Sequence, residues 1–194
     1  MPAYRSSYHY GNLRAALTDA ALDLARHGGP AAVTVRGVAR SVGVTPPAAY
    51  RHFAEAEELL TATRDRALTL LAEGVDAAIG SVPAGCGGAE GAVAAASLRA
   101  VAEAYIGFAK SQPGLFAMAC HGSAQTVRTL ITDCLDPFLD TLSAHSPGMV
   151  FALWSAVHAL AVLAAEGAVY DVSPDEVLDT VLGWIATSGR LSVP

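Results

Sequence analysis

The first apolar face of the chain runs through Leu13, Ala16, Leu17, Ala20, Ala21 and Leu24, the three-and-four spacing of an amphipathic helix. Gly28, Gly29 and Pro30 then stop a helix predicted over residues 12–27, as glycine and proline do at helix C-termini. Val35, Val38, Ala39 and Val42 give a second, short helix with Thr34 as its N-cap and Gly43 at its end. A third starts at Thr45 as N-cap, with Pro46 at the first helical position, where a missing N–H costs nothing. Pro47 still falls in the turn whose N–H groups have no intrahelical partner. A long helix over about residues 55–79 opens with Glu55, Glu57 and Glu58, which complement its dipole. Residues 80–91 read as a glycine-rich loop, and further helices follow at 92–111, 113–121, 123–143, 147–168 and 174–189, with Pro113, Pro147 and Pro174 near three of the starts. No segment sustains period-two alternation, so the expected fold is all-α with eight or nine helices. A three-helix N-terminal unit over 1–54 precedes a helical bundle over 55–194.

The second and third helices, joined through Val42-Gly43-Val44, form a helix-turn-helix in which the N-terminal end of the second element reaches base edges. The residue types suit that task. Thr45, Tyr50 and His52 can donate to phosphates, while Arg36 and Arg51 can reach phosphate or guanine. Pro46, Pro47 and Ala48 form an apolar tip able to touch a thymine methyl. Val38, Ala39, Val44, Ala49 and Phe53 are the expected small core beneath.

Charge sharpens this picture. The chain carries a net −6, which by itself argues against nucleic acid. Yet Arg5, Arg14, Arg26, Arg36, Arg40 and Arg51 all precede residue 55, against Asp19 and Asp23 alone. A basic module on an acidic body fits a protein that meets a polyanion at one end.

Apolar residues make up 53% of the chain and charged ones 15%, which excludes disorder and favours a well-buried globule. The N-terminus has no apolar signal-peptide core, and Cys86, Cys120 and Cys134 are odd in number without a CxxC pair. Together these suggest reduced thiols and a cytoplasmic protein. No GxSxG, HExxH, GxGxxG or P-loop is present, so neither an enzyme nor a cofactor is expected. His121 beside Cys120 lacks a third ligand at useful spacing, so no metal is expected either. Residues 151–169 approach the length of a membrane span but carry His158 and Glu166 and have no basic flank. Ala, Gly and Val enrichment there and in the last helix instead suits two helices hidden in a two-fold interface.

The segment "TVRGVARSVGVTPPAAYRHFAEAEELL", with "YHYGNLRAALTDAALDLARHGG" before it, resembles the DNA-binding region of the tetracycline-repressor (TetR) family. The resemblance covers about the first 65 residues. It implies a dimeric, ligand-responsive transcriptional regulator, usually a repressor, on a pseudo-palindromic double-stranded operator. It also implies that Arg36, with Thr34 before it, and the Thr45–Ala48 tip lie near bases. Tyr50, His52 and the chain around His9 are implied to lie near phosphate. One position departs: Ala56 stands where the family usually has a phosphate-contacting lysine. That departure leaves an alternative, a small-molecule-binding or interaction protein with a weakened DNA-binding domain.

In the bundle, "VAEAYIGFAKSQPGLFAMACHG" and "FALWSAVHALA" are similar to a C-terminal domain class of the same family known by a Trp-His-Gly signature, with Ala159 in place of its glycine. Tyr105, Phe108, Phe116, Met118, Cys120, Trp154 and His158 stand out among Ala and Val and are the candidate lining of an apolar effector pocket with a few polar handles.

Overall fold

The computed structural model describes residues 13–83, 90–122, 124–141, 146–168 and 174–188. His9 and Cys86 lie outside them. Among the described residues there are nine α-helices and no strand: α1 (Leu13–Gly28), α2 (Val35–Val42), α3 (Pro46–Tyr50), α4 (Ala56–Ser81), α5 (Glu90–Ser111), α6 (Pro113–Ala119), α7 (Ala124–Thr141), α8 (Pro147–Ala165) and α9 (Pro174–Ser188). A single 3-10 turn, Pro30–Ala32, links α1 to α2.

The apolar stripe of α1 buries Ala16, Leu17, Ala21, Leu22 and Ala25. It covers Val38, Ala39, Ala49 and Phe53, all fully buried, with Val44 half-buried at the edge. These are the core positions expected from the sequence. α4 buries Leu59, Thr63, Ala67, Leu71 and Val75, a stripe at four-residue spacing that packs on α1 at one end and on α5 along its length. α5 is the central post of the bundle, in contact with α4, α6, α7, α8 and α9.

Helix ends follow the backbone chemistry, as two that differ from expectation show. α4 continues through Gly80 and Ser81, closed by the Val82 N–H on the Ile79 carbonyl at 3.1 Å. It stops where Pro83 disfavours helical geometry in the residue before it. α8 ends at Ala165, short of 168, because Gly167 turns left-handed at φ 66°. The Ala168 N–H then caps the Leu163 carbonyl at 3.1 Å.

α8 is more apolar than α5, the other long apolar helix among the described residues: its 18-residue window has a mean hydropathy of 1.9, yet only 17% of that window is buried. Leu153, Val157 and Ala161 form the one buried stripe. Phe151 on α8 and Trp184 on α9 are each 54% exposed. The protomer therefore leaves an apolar face open on its last two helices.

Candidate nucleic-acid interface and effector site

Local chemistry fixes the α2–α3 element. The Thr34 hydroxyl accepts from the Gly37 N–H at 3.0 Å, capping α2 as predicted. Gly43 sits at φ 77°, ψ 29°, a left-handed conformation that L side chains rarely adopt. The Val44 N–H bonds the Ala39 carbonyl at 2.9 Å and the Gly43 N–H bonds that of Arg40 at 3.2 Å, the paired bonds of a left-handed helix end. This turn sets the angle between the two helices. α3 opens with Pro46 and Pro47 in its first two positions. The Thr45 carbonyl accepts the first bonds of α3, but its hydroxyl makes no cap bond, so that side chain is left at the surface.

Thr34, Arg36, Thr45, Pro46, Pro47, Tyr50 and Arg51 are exposed, and Ala48 and His52 are half-buried. Among the described residues Arg36, Arg40 and Arg51 make no ion pair. Arg14 and Arg26 of the basic segment are instead engaged within the protein, which the sequence did not foretell. Arg14 donates to the His52 carbonyl, pairs with Glu58 at 3.2 Å, and lies with its guanidinium carbon 4.2 Å from the centre of the Phe53 ring. Glu58 in turn accepts the Ala54 N–H at 3.0 Å. This is a clasp between α1 and the α3–α4 junction. Its only sequence signal is a glutamate at the third position of a helix, the capping-box place. Arg26 donates to the Gln112 side chain at 2.6 Å. Ala56, where a lysine was expected, opens α4 between exposed Glu55 and Glu57.

In the bundle, Tyr105, Phe116, Trp154 and His158 converge from α5, α6 and α8. The Tyr105 hydroxyl lies 2.8 Å from His158 Nδ1. Phe116 meets Tyr105 edge-on with centroids 5.5 Å apart and lies 6.0 Å from the His158 ring. Trp154 stacks on His158 at 5.0 Å with 10° between planes. Burial pushes the Tyr105 phenol well above its usual 10, with the neighbouring Cys120 adding to the shift, and lifts the Cys120 thiol to about 11. Burial also lowers the His158 imidazole below its usual 6.5. All three groups are thus neutral at pH 7, and the thiol is neither a nucleophile nor an easy metal ligand. Met118 is fully buried in the core, and Phe108 is half-buried without a ring contact to this cluster.

α6 joins the two sites. Phe116 enters the aromatic cluster, while two residues earlier Gly114 packs on the last turn of α1. A Cβ there would stand 2.3 Å from the Ala25 carbonyl oxygen and 2.6 Å from that of Arg26. Only a glycine allows so close a backbone approach.

Comparison with known proteins agrees with this architecture. The profile of bacterial regulatory proteins of the tetR family matches residues 17–63, and that of the tetracyclin repressor-like C-terminal domain matches residues 98–184. A TetR-like transcriptional regulator from Rhodococcus sp. RHA1 is 19% identical, with a TM-score of 0.62 over 92% of this chain and 95% of that one. A protein of unknown function from the same organism is 22% identical, with a TM-score of 0.64 over 94% and 98%. A TetR transcriptional regulator from Streptomyces coelicolor is 22% identical, with a TM-score of 0.53 over 93% and 94%. At these identities the solved structures carry the fold alone. No curated protein matches the chain. The two profile matches take in both the helix-turn-helix unit and the bundle, and on that ground the chain belongs to the TetR family of bacterial transcriptional regulators.

Proposed function

We propose that the protein is a homodimeric repressor that leaves its operator when a small apolar effector enters the bundle. The observation that carries the reading is the contrast in the basic segment: Arg36, Arg40 and Arg51 are exposed without ion pairs, whereas Arg14 and Arg26 are engaged. Unpaired cations beside a capped, glycine-turned helix pair are what a DNA duplex requires. Arg36 and the Thr45–Ala48 tip read bases, with Thr34 close by; Tyr50, Arg51, His52 and His9 hold phosphates. The apolar face left on α8 and α9 is the two-fold contact, and it sets the two α3 helices about 34–36 Å apart, one turn of DNA. Such a protein works in the cytoplasm, where the DNA is.

The effector occupies the cluster of Tyr105, Phe116, Cys120, Trp154 and His158, flanked by Phe108 and Met118. An effector that displaces Phe116 moves α6, and the Gly114 contact leaves no slack before the end of α1. α1 and α4 then reorient the helix-turn-helix units, with a coupling free energy of about 1–3 kcal/mol. A second reading, a small-molecule-binding protein with a weak DNA contact, is favoured by exposed Glu55 and Glu57 around Ala56. A gel-shift titration on the DNA flanking the gene separates the two. The repressor reading expects a specific complex that weakens steeply with salt; no specific shift at low ionic strength sinks it and leaves the second.

A further inference from the structure

We infer that the effector is an uncharged, planar molecule with a hydrogen-bond acceptor, held by the indole N–H of Trp154 and the Nε2–H of His158. The inference rests on reading the aromatic cluster as the effector site.

The hydrogen-bond inventory of the cluster leads there. Tyr105 is 0% exposed, and among the described residues its hydroxyl has one partner, His158 Nδ1 at 2.8 Å. A buried phenol must place its proton on an acceptor, so Tyr105 donates and Nδ1 accepts. The neutral imidazole then carries its hydrogen on Nε2. Burial, which lowers the basicity of His158, favours the same neutral form. Nε2–H is therefore a donor that the phenol has fixed in place.

The second donor is Trp154. Its Nε1–H is buried and has no acceptor. An unsatisfied buried donor costs about 1–3 kcal/mol, and native proteins keep few of them without a reason. Trp154 and His158 are four residues apart on α8 and stack at 5.0 Å, so both donors belong to one pair of parallel rings. A flat ligand with a carbonyl or similar oxygen meets both the rings and the donors.

Charge sets the remaining limit. Among the described residues no Lys or Arg makes a ring contact with the cluster. An anion placed here would lie uncompensated in the same low-polarity surroundings that lift the Cys120 thiol to about 11. Room adjoins the rings: Phe151 packs on Trp154 at 5.9 Å and lines a cavity of about 260 Å³ between α7 and α8, with Arg128, Thr132, Asp136, Pro147 and Val150. Its polar wall carries both signs, so it gives an anion no clear welcome.

The test uses the full chain without DNA and three probes of one size: acetophenone, ethylbenzene and benzoate. Calorimetric titration is expected to show acetophenone binding about tenfold more tightly than ethylbenzene, the worth of one or two hydrogen bonds, with benzoate weakest. In Trp154→Phe that preference shrinks toward parity while ethylbenzene binding is retained, which also reports that the variant folds. In the unmodified protein, one of the two indole N–H resonances, Trp154 rather than Trp184, moves downfield with acetophenone and stays in place with ethylbenzene. Equal binding of acetophenone and ethylbenzene, tightest binding of benzoate, no binding of acetophenone, or an unmoved Trp154 resonance would each overturn the inference. Operator binding plays no part in these readouts, so a failure here leaves the repressor reading standing, and a failure of operator binding leaves this one.

Discussion

The two ends of the molecule handle polarity in opposite ways. In the α1–α3 unit the groups assigned to recognition, Arg36, Thr45, Tyr50 and Arg51, stand in solvent over a small core of Val38, Ala39, Ala49 and Phe53. In the bundle the corresponding groups, Tyr105, Trp154 and His158, are buried or half-buried, and burial holds the Tyr105 phenol and the His158 imidazole neutral. The difference suits the partners proposed for each end. A phosphate backbone is reached by exposed cations that displace its counterions. A small ligand is held by removing water from a few donors and rings.

The largest expected effect comes from breaking the contact between the two ends. Gly114→Ala drives a Cβ to within 2.3 Å of the Ala25 carbonyl oxygen, against backbone that cannot rotate away. The expected loss is about 3 kcal/mol, a fall in Tm of roughly 6–12 °C at fixed protein concentration. An unchanged melting curve would mean that α6 does not bear on α1. Next comes Arg36→Ala, which removes an exposed, unpaired cation and should leave Tm in place. It is expected to cost about 1–3 kcal/mol in operator affinity and to relax preference at one base pair. A loss that is equal on all sequences would put Arg36 on phosphate instead.

A smaller effect separates the buried end by pH. The folded-state pKa of His158 is depressed, so the unfolded chain binds the proton first as pH falls. Stability from this group is in full above about pH 6.5 and is lost as pH falls through the folded value, with a slope of at most about 1.4 kcal/mol per pH unit. Protonation also removes the lone pair that accepts from Tyr105, next to Cys120. His158→Gln should flatten the Tm profile between pH 7 and pH 5; an unaltered profile would place the acid sensitivity elsewhere. The smallest effect is Ala56→Lys, which restores a cation at the start of α4. It should steepen the salt dependence of operator binding by about one unit of slope and leave effector binding unchanged.

Legibility divided along the same line. The turn and caps of the helix-turn-helix were readable because they are local: Thr34, Gly43 and the Pro46-Pro47 pair each answer a backbone requirement within four residues. The helices of the bundle were readable too, and helix α7 runs on through Pro137 inside it. The contacts that span long sequence distances were hidden. Nothing in the chain around Arg14 says that it will reach Glu58 and His52, and the tight fit of Gly114 on Ala25 exists only once α6 meets α1. Composition picked out Tyr105, Phe116, Trp154 and His158, but not that Trp154 stacks on His158 or that Tyr105 meets the same imidazole in a hydrogen bond. A further part of the basic count was misleading, since Arg14 and Arg26 are engaged within the protein rather than presented to a partner.

The proposed function requires that two exposed α3 ends, paired through α8 and α9, read DNA as a two-fold unit. Selection of bound duplexes from a random pool tests it most directly. A paired dimer is expected to enrich a palindromic site whose half-site centres lie one helical turn apart, about 10–10.5 base pairs. Enrichment of nothing, or of a single unpaired half-site, would contradict it.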